Sequence, residues 1–367
     1  MLPVVEYRRG LHRIPELVDQ LPETCAYVRG RLESFGLEPF SPTKGSVCAF
    51  LDAGKPETVA FRADMDALPV TEATGLPYAS EHPGKMHACG HDGHTAMALA
   101  LAEYVDRHLS DLPRNVLFLF QPAEEITGGA GPLCRTGILE AHRAVRVFGV
   151  HLWPGLSRGQ VFSRPGPLMA RSNEVTVTVT GQSVHLSRAS EGRDALAAGI
   201  LYYRRALALV DALPPEELRV LGFGKLVSGT VRNAVSGQSV LEGSLRTYRE
   251  KTYRRCRTGL EDLGPQIARE TGCGVEVCLS DGYPAVWNHE GLYETVCREL
   301  GAAAPALLDA PVLASEDFSF YQQRIPGVFF FLGLGAVPEL HAPEFCFEDE
   351  LVLPAGVSFL QRLAQLP

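Results

Sequence analysis

The 367-residue chain contains no Cys-x-x-Cys pair and no His-Glu-x-x-His stretch. The first absence excludes a thioredoxin-type redox site, and the second leaves no zincin helix. Nine cysteines are odd in number and scattered without framework spacing. That excludes a disulfide scaffold and fits a reducing, cytoplasmic compartment. Positive charge is short: 34 Lys and Arg stand against 43 Asp and Glu, a net charge of −9, with no basic stripe. Nucleic acid is therefore not expected as a partner. No apolar run is long enough for a membrane span. Residues 1–10 lack the apolar core of a secretory signal, so none is expected. Repeats and low-complexity tracts are also missing. What remains is the composition of a soluble globular enzyme, 46% hydrophobic and 21% charged, at a length that calls for two domains.

The densest chemistry lies in Met86-His87-Ala88-Cys89-Gly90-His91-Asp92-Gly93-His94, one thiol and three imidazoles in nine positions. Thiolate and imidazole bind borderline-soft divalent metals. Taken alone, Cys89 and His91 read equally as a buried cysteine beside surface histidines. Around this stretch the pattern is strand and helix in alternation. Helical pieces run from Glu6 to His12 and from Leu21 to Phe35, the latter stopped by Gly36. Apolar strands read at Ser46–Leu51, Thr58–Ala63, Asn115–Phe120 and Arg146–His151. Asp64 and Asp66, Glu124 and Glu125, and His151 each follow one of them. If these strands are parallel in one sheet, their ends converge on one edge, where α/β proteins place their sites. This alternation predicts a doubly wound α/β domain.

From about Ser172 the pattern changes. Glu174–Thr180 alternates with strict period two, as a strand with one wet face does. A helix comes after it at about Asp194–Leu213. Strands come next around Leu218–Leu226 and Gln238–Thr247, then a basic helix from about Lys251 to Thr271 and a strand at Gly274–Leu279. The order β-α-β-β-α-β predicts a ferredoxin-like α+β domain at residues 172–281. It is inserted into a discontinuous domain of residues 1–171 and 282–367. The strand Val175–Thr180 is expected to offer an edge for pairing across a two-fold axis.

Two patterns are decoys. Gly155-Leu156-Ser157-Arg158-Gly159 fits the serine-hydrolase elbow, but Trp153-Pro154 precedes it and a strand, not a helix, comes after it. Gly222-Phe223-Gly224 lacks a third glycine and a subsequent helix. His151, His185 and His341 are each ambiguous alone: His151 at a strand end is a ligand or a satisfied core residue, His341 is similarly weak, and His185, just past a strand, also reads as a surface loop histidine. Adjacent carboxylates such as Glu124-Glu125 point apart in extended or turn backbone, so one can bind metal while the other reaches water.

Arg62-Ala63-Asp64-Met65-Asp66-Ala67-Leu68-Pro69, the Cys89 stretch, Gln121-Pro122-Ala123-Glu124-Glu125, the His151 strand end and Leu340-His341-x-Pro343 occur in one order. Together with Leu11-His12-x-x-Pro15-Glu16-Leu17 they resemble the aminoacylase-type amidohydrolases. That branch includes hippurate hydrolase, N-acetyldiaminopimelate deacetylase and the auxin-conjugate hydrolases, within the metallo-aminopeptidase/carboxypeptidase clan. The resemblance implies a metallopeptidase-like catalytic domain, a twisted central sheet flanked by helices, with the inserted domain as lid. It implies two divalent metal ions per subunit (Zn, Mn, Co or Ni). Cys89 would bridge them, with His91 and His151 on one ion and Glu125 and His341 on the other. Glu124 would be the general base, and Asp64, Asp66 and His94 would stand behind the ligands. His185 would reach an active site from the lid, in cis or in trans, and Asn233 and Arg246 would meet the substrate carboxylate. The implied reaction is hydrolysis of N-acyl amino acids by a homodimer joined through the lid. Leu186-Ser187-Arg188-Ala189-Ser190-Glu191-Gly192 departs from the family pattern after the lid histidine, which leaves the acyl group open. A dipeptidase or carboxypeptidase, a non-catalytic metal-binding relative and a cysteine hydrolase built on Cys89 are the rival readings.

Overall fold

A computed structural model describes residues 2–367. They form two compact units. One holds the chain up to Leu168 with Val286–Pro311 and Glu316–Pro367, and the other holds Met169–Ala285 with Val312–Ser315.

The first unit begins with α1 (Pro3–His12), α2 (Pro22–Ser34), β1 (Val47–Leu51), β2 (Thr58–Asp64) and α3 (His91–Arg107). It continues with β3 (Asn115–Gln121), α4 (Ala130–Arg135), α5 (Ile138–Ala141), β4 (Ala144–Trp153), β5 (Val161–Ser163) and β6 (Gly166–Met169). In β2 and β3 every residue is buried, as expected of strands covered on both faces. α3 opens at Gly90, whose φ of +85° suits a residue without a β-carbon. Gly93 lets the helix seat closely: a β-carbon there would lie 2.6 Å from Leu152 Cδ1.

The second unit comprises β7 (Arg171–Thr180), α6 (Ala195–Asp211), β8 (Arg219–Ser228), β9 (Gln238–Thr247), α7 (Glu250–Thr271) and β10 (Gly274–Leu279). All pairs are antiparallel, in the order β10-β7-β9-β8. This is the ferredoxin-like α+β arrangement that the order β-α-β-β-α-β predicts. Val175, Val177 and Val179 face a core closed by Tyr202 of α6 and Leu260 and Ile267 of α7. One expectation fails here. The strand containing Val175–Thr180 lies between β10 and β9, so it is not an edge. Period two reports a wet face, and an edge is a property of neighbours. The edge on the hairpin side is β8, which exposes Val220, Leu226 and Val227.

The chain returns to the first unit with β11 (Val286–Asn288), α8 (Glu290–Leu300), β12 (Ala306–Leu307), α9 (Ser319–Gln322), β13 (Gly327–Gly333) and α10 (Asp349–Ala364). Its sheet has the order β1-β3-β2-β4-β13-β5-β12. The four central strands are parallel, while β1 and β5 run antiparallel to their central neighbours. The carboxyl ends of β2, β3 and β4 therefore meet on one edge.

Candidate metal centre

Four segments converge on that edge. The loop before α3 brings Cys89, and the first turn of α3 brings His91 and His94. The turn after β3 brings Glu124 and Glu125, and the end of β4 brings His151. A loop after β13 brings His341 in left-handed backbone, φ +68°, a conformation histidine tolerates better than most residues. Ligand atoms of Cys89, His91 and His151 all lie within 4.8 Å of one another, as do those of Cys89, Glu125 and His341. The two groups share the Cys89 sulfur. His151 Nε2 lies 3.5 Å from it.

The histidine tautomers are set by the backbone. His91 Nδ1 donates to Asp66 O at 2.8 Å, and His151 Nδ1 donates to Leu152 O at 2.7 Å. Each Nε2 is thereby the ring atom that faces the cluster, the one a metal would meet in place of a proton. His94 is fixed in the reverse sense. Its Nε2 accepts the Leu152 N–H at 2.8 Å and its Nδ1 donates to Asp64 Oδ1 at 2.6 Å. His94 is thereby occupied on both sides and braces β4 against β2.

Asp66 shapes the carboxylate turn. Its Oδ1 accepts the Glu124 N–H at 3.0 Å and its Oδ2 accepts the Glu125 N–H at 3.2 Å. Ala123 just before has φ +62°, and a β-carbon on Gly129 would lie 1.9 Å from Pro122 O. The turn is thus tightly determined, and it does not send the two glutamates apart as expected: a carboxylate oxygen of each lies within 4.8 Å of the other and of a His91 ring nitrogen. Glu125 Oε1 lies 3.4 Å from His341 Nε2 and 3.7 Å from His91 Nε2. Glu124 has carboxylate oxygens within 4.8 Å of Glu316 and Asp317.

Glu316 and Asp317 were not singled out by the sequence. Arg62 Nη2 binds Glu316 Oε1 at 2.9 Å and Asp317 Oδ1 at 2.6 Å, and its Nη1 binds Asp64 Oδ2 at 2.8 Å. Asp317 Oδ2 also accepts from Gln121 Nε2 and the Ala130 N–H. Arg62 and its partner Asp64 were legible within their motif, but Glu316 and Asp317 were not. The only signal was an acidic pair directly before the buried Phe318, with no strand running directly into it.

The electrostatics describe a cluster short of positive charge. Burial opposes charge on His91, but Asp64, Asp66 and Glu125 outweigh it and push the imidazole up to about 10. Burial drives His151 down to about 3, with His94 adding to the effect. Burial also resists charge on Glu125, yet His341 and His91 draw it down to about 2. Burial, then Glu125 and Glu124, hold the Cys89 thiol well above its ordinary value. His91 Nε2 and Glu125 Oε1 are buried without a hydrogen-bond partner. Such groups are costly unless something meets them. One thiol, three imidazoles and a carboxylate, with two orphaned ligand atoms and an excess of acid, suit two divalent cations.

The remaining sequence-predicted residues, His185, Asn233 and Arg246, lie in the second unit. His185 is exposed and its Nδ1 pairs with Ser187 Oγ at 2.8 Å. Leu186 N–H donates to Asn233 O at 3.0 Å and Val235 N–H to Val184 O at 2.8 Å, so the His185 and Asn233 segments are zipped together. Arg246, half-buried on β9, donates from Nη1 to Ser315 Oγ at 3.1 Å.

A family model described as peptidase family M20/M25/M40 matches residues 60–366. The chain is 34% identical over 350 residues to an N-acetyldiaminopimelate deacetylase of Limosilactobacillus fermentum, covering 92% of this chain and 90% of the relative. It is 32% identical over 366 residues to the protein of that name in Exiguobacterium sibiricum, covering 98% and 97%. A solved Bacillus subtilis structure, described as a dinuclear metal binding peptidase from the M20 family, aligns with TM-score 0.86 and 30% identity, covering 98% of this chain and 96% of that one. With these likenesses over nearly its whole length, the chain belongs to peptidase family M20/M25/M40, as a metal-dependent amidohydrolase.

Proposed function

We propose that the protein hydrolyses the amide bond of N-acyl amino acids, releasing a carboxylic acid and a free amino acid. The observation that carries this reading is the shared Cys89: two ligand groups meet at one sulfur, with Glu124 on the adjacent turn position to Glu125. In this reading Cys89, His91 and His151 hold one divalent ion, and Cys89, Glu125 and His341 hold the other. Zn, Mn, Co and Ni all suit such donors. When bound, such ions polarise a carbonyl and lower the pKa of water from about 15.7 towards about 7.

Glu124 is the base of this scheme. It accepts a proton from the attacking water and returns it to the amide nitrogen as that bond breaks. An amide nitrogen leaves poorly without a proton, so the same carboxylate serves both steps. Asp66 fixes its backbone, and the Glu124 carboxylate stands within 4.8 Å of a Glu125 oxygen. His185 is assigned to the developing oxyanion, and Asn233 and Arg246 to the substrate carboxylate, where a guanidinium gives charge-assisted hydrogen bonds.

The cysteine-hydrolase rival fares worse. A nucleophilic thiol needs a lowered pKa, and burial with neighbouring carboxylates moves Cys89 the other way. Nine free cysteines, one of them the proposed ligand Cys89, favour a reducing cytoplasm. Among the described residues, no helix is long and apolar enough to cross a membrane. A homodimer is assigned to the β8 edge, whose exposed Val220, Leu226 and Val227 are joined by exposed Leu196, Ile200 and Tyr203 on α6. If His185 acts in trans, co-refolding Glu124→Ala with His185→Ala restores activity; verified mixed dimers that stay dead place it in cis.

The decisive test is a panel of N-acetyl, N-benzoyl and N-indoleacetyl amino acids, assayed with each metal in turn for release of free amino acid. The expected result is metal-dependent turnover of at least one class, abolished by EDTA. Turnover confined to unblocked dipeptides would move the assignment to a dipeptidase.

A further inference from the structure

Helix α1 carries two buried cationic side chains, Arg8 and His12. The proposed reaction uses neither, and both lie ahead of the stretch that the family model matches. The His12 ring has carboxylates on both sides: Nδ1 is 2.7 Å from Asp92 Oδ2 and Nε2 is 3.3 Å from Glu72 Oε1. Both carboxylates are committed as acceptors. Asp92 Oδ2 also takes Arg8 Nε at 2.9 Å, and its Oδ1 takes the Gly93 N–H at 2.9 Å. Glu72 takes the Ser80 N–H at 2.6 Å and the Thr74 hydroxyl. A neutral imidazole has one N–H and a carboxylate donates nothing. Two acceptors therefore require two donors, and His12 is an imidazolium.

The other groups around the ring are Arg8 on the same helix, which opposes the charge, Tyr78 edge-on at 5.7 Å between centroids, and the His87 ring at 6.4 Å. Arg8 is itself balanced by Asp92 and by Asp349, 3.1 Å from its Nη1. Burial resists charge on Glu72, yet the His12 ring, with the Thr74 hydroxyl and the Ser80 N–H, draws it down to about 2.

The two ends of this bridge lead to different places. Asp92 is the next residue after His91 in the first turn of α3. Glu72 precedes Ala73, whose N–H donates to Pro343 O at 2.8 Å, two residues beyond His341. One buried ring thus joins the backbone that carries His91 to the backbone beside His341. Resting on the reading above, in which those two histidines serve different ions, we propose that His12 is a positioning residue, a charged strap that holds the two halves of the metal centre in register.

The strap is tested on the metal-free full chain by calorimetric titration with zinc ions alone. Wild type is expected to take up two ions. His12→Gln and Glu72→Gln should each weaken at least one of them by roughly 10–100-fold, the range for groups that support metal ligands. The double variant should lose no more than the worse single, because both remove one strap. Nitrogen-15 NMR of the wild-type imidazoles gives a readout independent of metal. The signal absent from His12→Gln should show both nitrogens protonated at about pH 8, above the ordinary histidine range. A neutral His12 ring overturns the proposal. So do wild-type zinc affinities in folded Glu72→Gln, which serves if His12→Gln does not fold. A wild-type chain that binds no ion overturns the ligand reading and the strap with it, whereas unchanged variants of a two-ion wild type overturn the strap alone.

Discussion

Asp66 holds Glu124 by its backbone, Oδ1 to N–H at 3.0 Å, and its other oxygen takes the next N–H in the chain. One carboxylate thus fixes the turn that carries both the proposed base and a proposed ligand. In Asp66→Asn the amide NH2 faces one of these N–H groups and cannot accept from it. The variant is expected to lose about 10–100-fold in kcat or metal affinity, as supporting groups do, with little change in secondary structure. Steady-state kinetics beside metal analysis checks this; wild-type values in both would remove the role given to Asp66.

Glu124→Gln should retain fold and metal, since Glu125 and the other ligand atoms are untouched. The carboxamide cannot accept the water proton, so kcat should fall by about 10²–10⁴, the range for a lost general base. Near-normal turnover at full metal content would sink the assignment.

Metal uptake should release protons. Burial and the neighbouring glutamates keep the metal-free Cys89 thiol protonated at neutral pH, while a thiolate is the species that binds metal. Zinc titrations in buffers of different ionisation heat should reveal that release, and apparent affinity should rise with pH. In Cys89→Ser the release should shrink and both ions should bind more weakly. Loss of only one ion would make Cys89 a terminal ligand.

Glu316 gives a stability prediction with a definite sign. Burial first, then Asp317 and Asp64, raise its carboxyl to about 8, against Arg62. The metal-free folded chain therefore keeps a proton that the unfolded chain has released, between the ordinary 4.5 and about 8. Stability contributed by this group falls as pH rises through that window. Glu316→Gln removes the dependence. Thermal unfolding of the metal-free proteins should show the variant gaining on wild type from about pH 5 to about pH 8; parallel curves would refute the raised value.

Residues that end strands were legible in sequence. Asp64, Gln121 and His151 close or nearly close runs so apolar that only a buried parallel strand accommodates them, and the residues just past such strands collect at one edge. The Glu316-Asp317 pair was not legible. No strand runs directly into it, and its place is fixed by Arg62, 255 positions away from Asp317. His12 stood in a recognisable motif, yet its partners Glu72 and Asp92 carried no mark as a pair. Strand neighbours were equally hidden: the alternation at Val175–Thr180 is the same whether that strand lies inside its sheet or at its rim.

β4 and β13 pair in parallel side by side, from Val147 against Gly327 to Trp153 against Gly333. Between them in sequence runs all of β7 to β10. His151 and His341 stand on opposite sides of that excursion, so a filled metal centre would act as a clasp at the neck of a long covalent loop. The backbone is thus not the sole tie between the two ends of the first unit. A chain severed at an exposed turn of the second unit, such as Pro214–Glu217, would still have the strand pairing and the clasp to keep the enzyme whole, so it could be made as two polypeptides and reassembled.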